Sequence, residues 1–139
     1  MILFDTDTVT HFSYGNENVR RKIDEVGDDG QLAIAIITRY EILRGRADSL
    51  LKAANEEELR KAVERFQQAE EMLSAFLVVS FDETAINHFE ALRQQKTFKK
   101  RRADLLIACI ALANNALLVT RNTKDFKHVS GLRMENWVD

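Results

Sequence analysis

Residues 1–7 read MILFDTD, a short apolar run that ends in two aspartates separated by a threonine. The run predicts a buried β-strand, because a brief apolar segment bounded by polar residues is typical of a strand inside a sheet. Other polar side chains border apolar runs in the same way: Glu41 after residues 32–37 (LAIAII), Asp104 before residues 105–113 (LLIACIALA) and Asn122 after residues 116–120 (ALLVT). This repetition indicates that acidic and amide side chains gather where strands end.

Strand and helix signals alternate along the chain, which predicts an α/β fold with a parallel sheet and right-handed crossovers. The predicted strands are residues 1–4, 32–37, 77–79, 116–119 and 132–135. The predicted helices run from Asn16 to about Glu25, from Thr38 to Gly45, from Asn55 or an earlier start near Ser49 to Phe76, onward from Asp82, and over residues 103–114. Each has a capping or stop residue at one end, or a helical apolar pattern.

The polar residues at the strand ends suggest chemistry. The carboxyl ends of parallel strands form the floor of the ligand crevice in open α/β sheets. Carboxylates gathered there repel one another unless a cation lies between them, and Mg²⁺ and Mn²⁺ prefer oxygen ligands. The pattern therefore predicts a metal-dependent enzyme, with Asp5-Thr6-Asp7 as its sharpest local signal.

Structural interpretations compete at each of these positions. Asp5 and Asp104 can cap a helix or lie at the positive end of its dipole. Thr38 and Glu41 are spaced as in a capping box, and on spacing alone that role is favoured for Glu41. Turn formation explains the amide and carboxylate of residues 120–126 (TRNTKDF) equally well.

Composition restricts the function classes. The 139 residues fit one domain, and 20 basic against 22 acidic residues give a net charge of -2, which does not indicate nucleic-acid binding over the whole surface. The single Cys109 excludes a disulfide scaffold and predicts inert packing in a reducing cytoplasm. Asp5 interrupts the first apolar run, so no signal segment is expected, and no run approaches the roughly 20 residues of a membrane span.

A basic cluster precedes Asp104: Lys96, Lys99, Lys100, Arg101 and Arg102. It is either a solvated charge run or a phosphate-binding patch beside the acidic site, and the sequence favours neither. His11, His88 and His128 show no ligand spacing with Cys or with one another, so zinc is not expected. No glycine-rich phosphate loop is present, which argues against a nucleotide cofactor.

Taken together, four short blocks resemble the PIN-domain ribonucleases, and most closely the VapC toxins of prokaryotic toxin–antitoxin pairs. The blocks are residues 2–7 (ILFDTD), 37–45 (ITRYEILRG), 104–108 (DLLIA) and 120–126 (TRNTKDF), followed by 131–137 (GLRMENW). Each block is short, but their order and spacing over nearly the whole chain are specific.

The resemblance implies a three-layer α/β/α sandwich with a short, mainly parallel sheet of four to five strands. It implies Asp5, Glu41 and Asp104 as metal ligands for one or two Mg²⁺ or Mn²⁺ ions, with a fourth catalytic position at Asn122 or Asp125. Supporting roles are expected for Thr6, Asp7 and Thr120, and RNA binding for the basic cluster. Two departures from the family pattern are Asp7, commonly asparagine, and the amide at Asn122.

Partners follow from the same resemblance. We expect a VapB-like antitoxin whose C-terminal segment lies across the acidic pocket, a structured RNA substrate such as tRNA or rRNA, and a cytoplasmic homodimer. Excess apolar surface on the helices also predicts a homodimer: Leu50, Leu51, Ile86 and Phe89. Two alternatives stay open. Asp5 and Asp7 resemble the nucleophile and acid/base of haloacid-dehalogenase phosphatases, and the amide at Asn122 is also compatible with a degenerate, non-catalytic interaction module.

Overall fold

The structure, a computed structural model, describes residues 1–95 and 102–139. Within these ranges five strands form one sheet in the order β3-β2-β1-β4-β5, and every pairing is parallel. The strands are β1 (Ile2–Phe4), β2 (Leu32–Ala35), β3 (Leu77–Val79), β4 (Leu117–Val119) and β5 (Arg133–Glu135). The predicted α/β fold with a parallel sheet is confirmed.

Helices pack on both faces of this sheet, which makes three layers. In the described part of the chain they are α1 (Thr6–Ser13), α2 (Glu17–Val26), α3 (Ile36–Leu51), α4 (Glu56–Leu73), α5 (Glu83–Leu92), α6 (Arg102–Ala113) and α7 (Thr123–Phe126). A single 3-10 turn, Gly27–Asp29, follows α2. None of the helices in the ranges described combines the length and the apolar character that a membrane crossing requires.

The alternation of side chains along β1 divides the core into two clusters. Leu3 faces a largely aliphatic cluster built on α5 and α6. Phe4 faces an aromatic cluster, with ring centres 5.6 Å from both Phe76 and Trp137. Because β1 is central and buried on both faces, the residue that follows it is held at a fixed point on the sheet edge.

The second strand and the helix after it differ from the prediction. The strand ends at Ala35, which is the N-cap of α3, so the predicted strand over residues 32–37 and the helix start at Thr38 are both wrong. A continuous apolar run shows no change of period where a buried strand passes into a helix. Gly45 does not end α3, because glycine within a helix costs only about 1 kcal/mol relative to alanine.

Three helix starts agree with the sequence. Asn16, Asn55 and Asp82 each accept a hydrogen bond from a backbone N–H three residues on, at 3.0, 2.9 and 2.8 Å. Glu58 Oε2 also accepts from the backbone N–H of Ala54 at 2.8 Å, which completes a variant of the capping box. The alternative start of this helix near Ser49 is wrong, because Ser49 belongs to α3.

Candidate active site

A cavity of about 490 Å³ opens at the carboxyl edge of the sheet. Its lining comes from β1 and α1, from α3, from the start of α6 and from the turn after β4: Asp5, Thr6, Asp7, Thr10, Glu41, Ala103, Asp104 and Asn122. The structure thus brings together Asp5, Glu41, Asp104 and Asn122 from four distant segments. Asp125 does not line the cavity, but it accepts a hydrogen bond from Asn122, which does.

Asp5 is the most confined acid of the cavity. Its side chain is 6% exposed, and its Oδ1 accepts a hydrogen bond from the backbone N–H of Thr8 at 2.8 Å as the N-cap of α1. Burial raises the pKa of the Asp5 carboxyl above its ordinary value of 3.8, and hydrogen bonding from Thr120 and Thr8 offsets only part of that rise. The capping role therefore coexists with a carboxylate whose charge the protein leaves poorly compensated.

Glu41 is held by hydroxyl groups rather than by a helix cap. Thr6 Oγ1 donates a hydrogen bond to Glu41 Oε1 at 2.7 Å and lies 3.1 Å from Thr38 Oγ1. Thr38 is fully buried inside α3, so it cannot act as the cap that the capping-box interpretation requires. The threonine pair connects α1 to α3 and fixes one carboxylate oxygen of Glu41.

Asp104 and Asn122 line the cavity from the start of α6 and from the turn after β4. Asp104 is half-buried in the first turn of α6, where the helix dipole favours a negative charge. The amide nitrogen of Asn122 donates to Asp125 Oδ2 at 2.7 Å, and its backbone N–H donates to Thr120 Oγ1 at 3.0 Å. Because both N–H groups donate within the protein, the amide oxygen is the atom of Asn122 that can contact a ligand. Asp125 supports this arrangement by accepting from the amide nitrogen.

A charged network lies at the mouth of the cavity. Asp7 is exposed and lies 3.7 Å from Arg121 and 3.6 Å from His11. Arg121 also pairs with Asp139 at 3.4 Å, and a hydrogen bond from Asn136 is the main cause that lowers the pKa of Asp139. The additional charge at Asp7 is therefore partly balanced by Arg121.

Sequence reasoning missed Thr10, which lines the cavity from α1. Its spacing of three from Asp7 on a helix is the signal that could have found it. Within the basic cluster, Arg102 is exposed at the start of α6, with its guanidinium 5.2 Å from the ring centre of Phe89. The other four basic residues lie outside the described residues: Lys96, Lys99, Lys100 and Arg101.

The donor set fits a hard divalent cation in type. Four carboxylates (Asp5, Asp7, Glu41 and Asp104) and the amide of Asn122 line the cavity, and oxygen ligands are those that Mg²⁺ and Mn²⁺ prefer. In residues 1–95 and 102–139, no three Asp, Glu, His or Cys side chains already lie close enough to share an ion. Asp5 Oδ1 accepts a hydrogen bond from the backbone N–H of Thr8 and Glu41 Oε1 accepts one from the Thr6 hydroxyl, so protein groups already hold one oxygen of each carboxylate.

The fold is that of a PIN domain. The chain belongs to the PIN domain family, which matches residues 2–132, and the resemblance seen in the sequence blocks is confirmed. Ribonuclease VapC2 of Rickettsia felis is 30% identical over 118 residues, which cover 83% of this chain and 81% of that protein. The tRNA(fMet)-specific endonuclease VapC of Shigella flexneri is 26% identical over 113 residues, covering 79% and 78%.

A solved structure shows the same fold. The crystal structure of VapBC2 from Rickettsia felis, bound to a DNA fragment from their promoter, contains a chain that matches with a TM-score of 0.75. The match covers 99% of each chain at 23% identity. The three-layer arrangement and the order of the strands are therefore those of a known fold.

Proposed function

We propose that this protein is a divalent-metal-dependent endoribonuclease and the toxin of a toxin–antitoxin pair in the cytoplasm. The observation that carries the proposal is the cavity in which Asp5, Glu41, Asp104 and Asn122 meet from four distant segments. The ribonuclease and endonuclease names of the VapC relatives support it. We propose structured RNA, tRNA or rRNA, as the substrate, cut in single-stranded loops where bases are accessible.

The carboxylates of Asp5 and Asp104 are the groups that would hold Mg²⁺ or Mn²⁺ directly, and Glu41 would either join them as a ligand or position the attacking water. Such an ion lowers the pKa of bound water and polarises a phosphoryl oxygen. The raised pKa of Asp5 supports this assignment, because a buried carboxylate with little compensation gains most from a neighbouring cation. One or two ions are compatible with the side chains of Asp5, Glu41, Asp104 and Asn122.

Each protein group has a role in the hydrolysis. Glu41, with one oxygen fixed by Thr6, orients the attacking water and accepts its proton. The water oxygen forms a bond to phosphorus, and the bond from phosphorus to the 3′ oxygen breaks. The products are a 5′-phosphate and a 3′-hydroxyl, which takes its proton from solvent. Asn122 is positioned by Asp125 and Thr120 to contact the phosphate.

The test uses 5′-end-labelled RNA incubated with EDTA, Mg²⁺ or Mn²⁺. Cleavage is expected with either metal and is expected to be lost in EDTA and in Asp104→Asn. Hydrolysis of para-nitrophenyl phosphate without RNA cleavage would favour the dehalogenase-type phosphatase. That alternative needs Asp7 as an acid/base, yet Asp7 is exposed and paired with Arg121. Activity in neither assay would favour the non-catalytic module.

The antitoxin contact is proposed at a second groove. A space of about 560 Å³ between α1, α3 and α4 has an apolar part formed by Val9, Ile42 and Met72, and it meets the acidic cavity at Thr10. We infer that an apolar antitoxin segment lies here and places a basic side chain among the carboxylates. Co-expression with the adjacent small gene is expected to yield a complex without RNA cleavage. Full cleavage by that complex would contradict the inference.

A homodimer is part of the same proposal. Leu51 is 80% and Ile86 44% exposed, while Leu50 and Phe89 are half-buried. Pairing of two copies is the commonest way for a soluble protein to cover such apolar surface. Light scattering at micromolar concentration is expected to give twice the chain mass of 16.0 kDa. The monomer mass would refute the dimer.

A further inference from the structure

A second cleft, of about 410 Å³, lies beside the acidic cavity between α3 and the start of α6. We call it the arginine cleft, defined by Tyr40, Arg44 and Arg102. Its lining shares Glu41 and Ala103 with the acidic cavity. The two spaces therefore adjoin at Glu41 and Ala103, and two arginines line the second space.

The repeat of α3 explains this change of charge. Tyr40, Arg44 and Asp48 recur every four residues and line the arginine cleft, while Glu41, one position along, lines both spaces. The guanidinium of Arg44 lies 5.9 Å from the ring centre of Tyr40. A single helix thus presents a catalytic carboxylate and, beside it, an aromatic ring and a cation.

Both guanidiniums keep their charge available to a ligand. In the part of the chain that the structure describes, neither Arg44 nor Arg102 forms an ion pair, although Asp48 also lines the cleft. Arg102 instead stacks at 5.2 Å on Phe89. A stacked guanidinium remains able to donate two parallel hydrogen bonds to one phosphate.

We propose that the arginine cleft binds the nucleotides next to the scissile phosphate of the RNA, an inference that rests on the proposed function. Phosphates pair with Arg44 and Arg102, and a base stacks on Tyr40, a residue that is 54% exposed. Carboxylates in the neighbouring cavity repel an RNA backbone, and the chain as a whole carries a net charge of -2. The arginine cleft supplies the local attraction that holds the strand against that repulsion.

The experiment measures binding of a fluorescein-labelled, single-stranded 12-mer RNA by anisotropy across a salt series. The protein is the full chain carrying Asp104→Asn, so that the RNA stays intact. Arg44→Ala and Arg102→Ala are each expected to reduce the slope of log Kd against log salt by about 0.7, the value for one lost phosphate contact on a single strand. Tyr40→Ala is expected to weaken binding about tenfold at an unchanged slope, and Tyr40→Phe to retain affinity.

Matched controls separate the cleft from general charge and from fold. Arg39→Ala removes an exposed cation from the same helix, beside Tyr40, and Tyr14→Ala removes a tyrosine that is 75% exposed at the C-cap of α1. Both are expected to keep the Kd and the slope of the Asp104→Asn protein. Equal melting temperatures across the set establish that each variant is folded.

Two results would overturn the arginine cleft while the proposed function stands. In the first, the wild-type protein cleaves RNA, but Arg44→Ala and Arg102→Ala bind it like Arg39→Ala. In the second, Tyr40→Ala converts a dimer to the 16.0 kDa monomer, which makes this face a contact between protein copies. Absence of both RNA cleavage by the wild-type protein and RNA binding by Asp104→Asn would instead reject the proposed function itself.

Discussion

Asp5 and Asp104 line the same cavity, but the fold treats their charges differently. Asp5 follows the central strand, is 6% exposed and has its pKa raised by burial. Asp104 is half-buried in the first turn of α6, where the helix dipole favours a carboxylate. The ionised form of Asp5 therefore opposes folding, whereas the ionised form of Asp104 favours it, although the same chemical role is proposed for both.

The largest expected effect is on RNA cleavage, which both acids should support equally. Asp5→Asn and Asp104→Asn should each lower metal-dependent RNA cleavage by more than about 100-fold, because loss of a metal ligand exceeds the 10–100-fold effect of an outer-shell contact. Both should also abolish thermal stabilisation by Mg²⁺, which a melting assay measures. Asp28→Asn, an exposed acid in the turn after α2, is the matched control. Normal cleavage by either cavity variant would exclude that acid as a ligand.

A smaller effect is expected from the hydroxyl that positions Glu41. Thr6→Val removes the 2.7 Å hydrogen bond and should lower kcat about 10–100-fold with little change in KM. Thr6→Ser keeps the hydroxyl and should restore most of the rate. Steady-state kinetics on a labelled RNA distinguish the two variants. An equal loss in both would show that the methyl group of Thr6, rather than its hydroxyl, is needed.

Asp5→Asn and Asp104→Asn should change the stability of the protein in opposite directions, and the effect at Asp5 should depend on pH. Burial raises the folded-state pKa of Asp5, so its ionised form opposes folding above that pKa, and the penalty is lost as pH falls toward 3.8. In EDTA, Asp5→Asn should therefore melt higher than the wild-type protein at neutral pH, with a gain that shrinks in acid. Asp104→Asn should instead lose about 0.3–1 kcal/mol of dipole stabilisation. A higher melting temperature for Asp104→Asn alone would reverse the comparison.

The smallest effect concerns α3, which carries Glu41. A Cβ added at Gly45 meets no atom within 4 Å, so Gly45→Ala should raise the free energy of unfolding by about 0.5–1 kcal/mol. Gly131 has a φ of +80°, and Gly131→Ala should destabilise the protein. Urea denaturation measures both changes. If Gly45→Ala raised the free energy of unfolding more than Asp5→Asn does, helix propensity in α3 would outweigh the buried charge of Asp5 in the stability of the protein.

Local chemistry made much of this fold predictable. Asn16, Asn55 and Asp82 begin helices because their side-chain oxygens accept a hydrogen bond from the backbone N–H three residues on. Residue types that cap helices in this way can be recognised in the sequence. The boundary at Ile36 was not predictable, since the apolar run continues across it.

Some features of the cavity could likewise be predicted from the sequence, and others could not. Asp5 and Asn122 follow two paired parallel strands, so they could be predicted to meet at one edge of the sheet. Glu41 and Asp104 lie in helices α3 and α6 rather than at the ends of strands, so the prediction that they follow strands is wrong. The contact of Thr6 with Thr38 and that of Arg121 with His11 span 32 and 110 residues. Such pairs depend on how α1 packs against its neighbours, which no local pattern encodes.

Cys109, the only cysteine of the chain, lies fully buried in α6, and burial raises the pKa of its thiol to about 11. The thiol is therefore neutral and shielded from alkylating reagents while the protein remains closed. Its rate of modification reports how often the layer formed by α6 opens. The molecule thus contains an intrinsic probe of its own opening, and a bound antitoxin or Mg²⁺ that stabilises the closed form should slow that reaction without any introduced label.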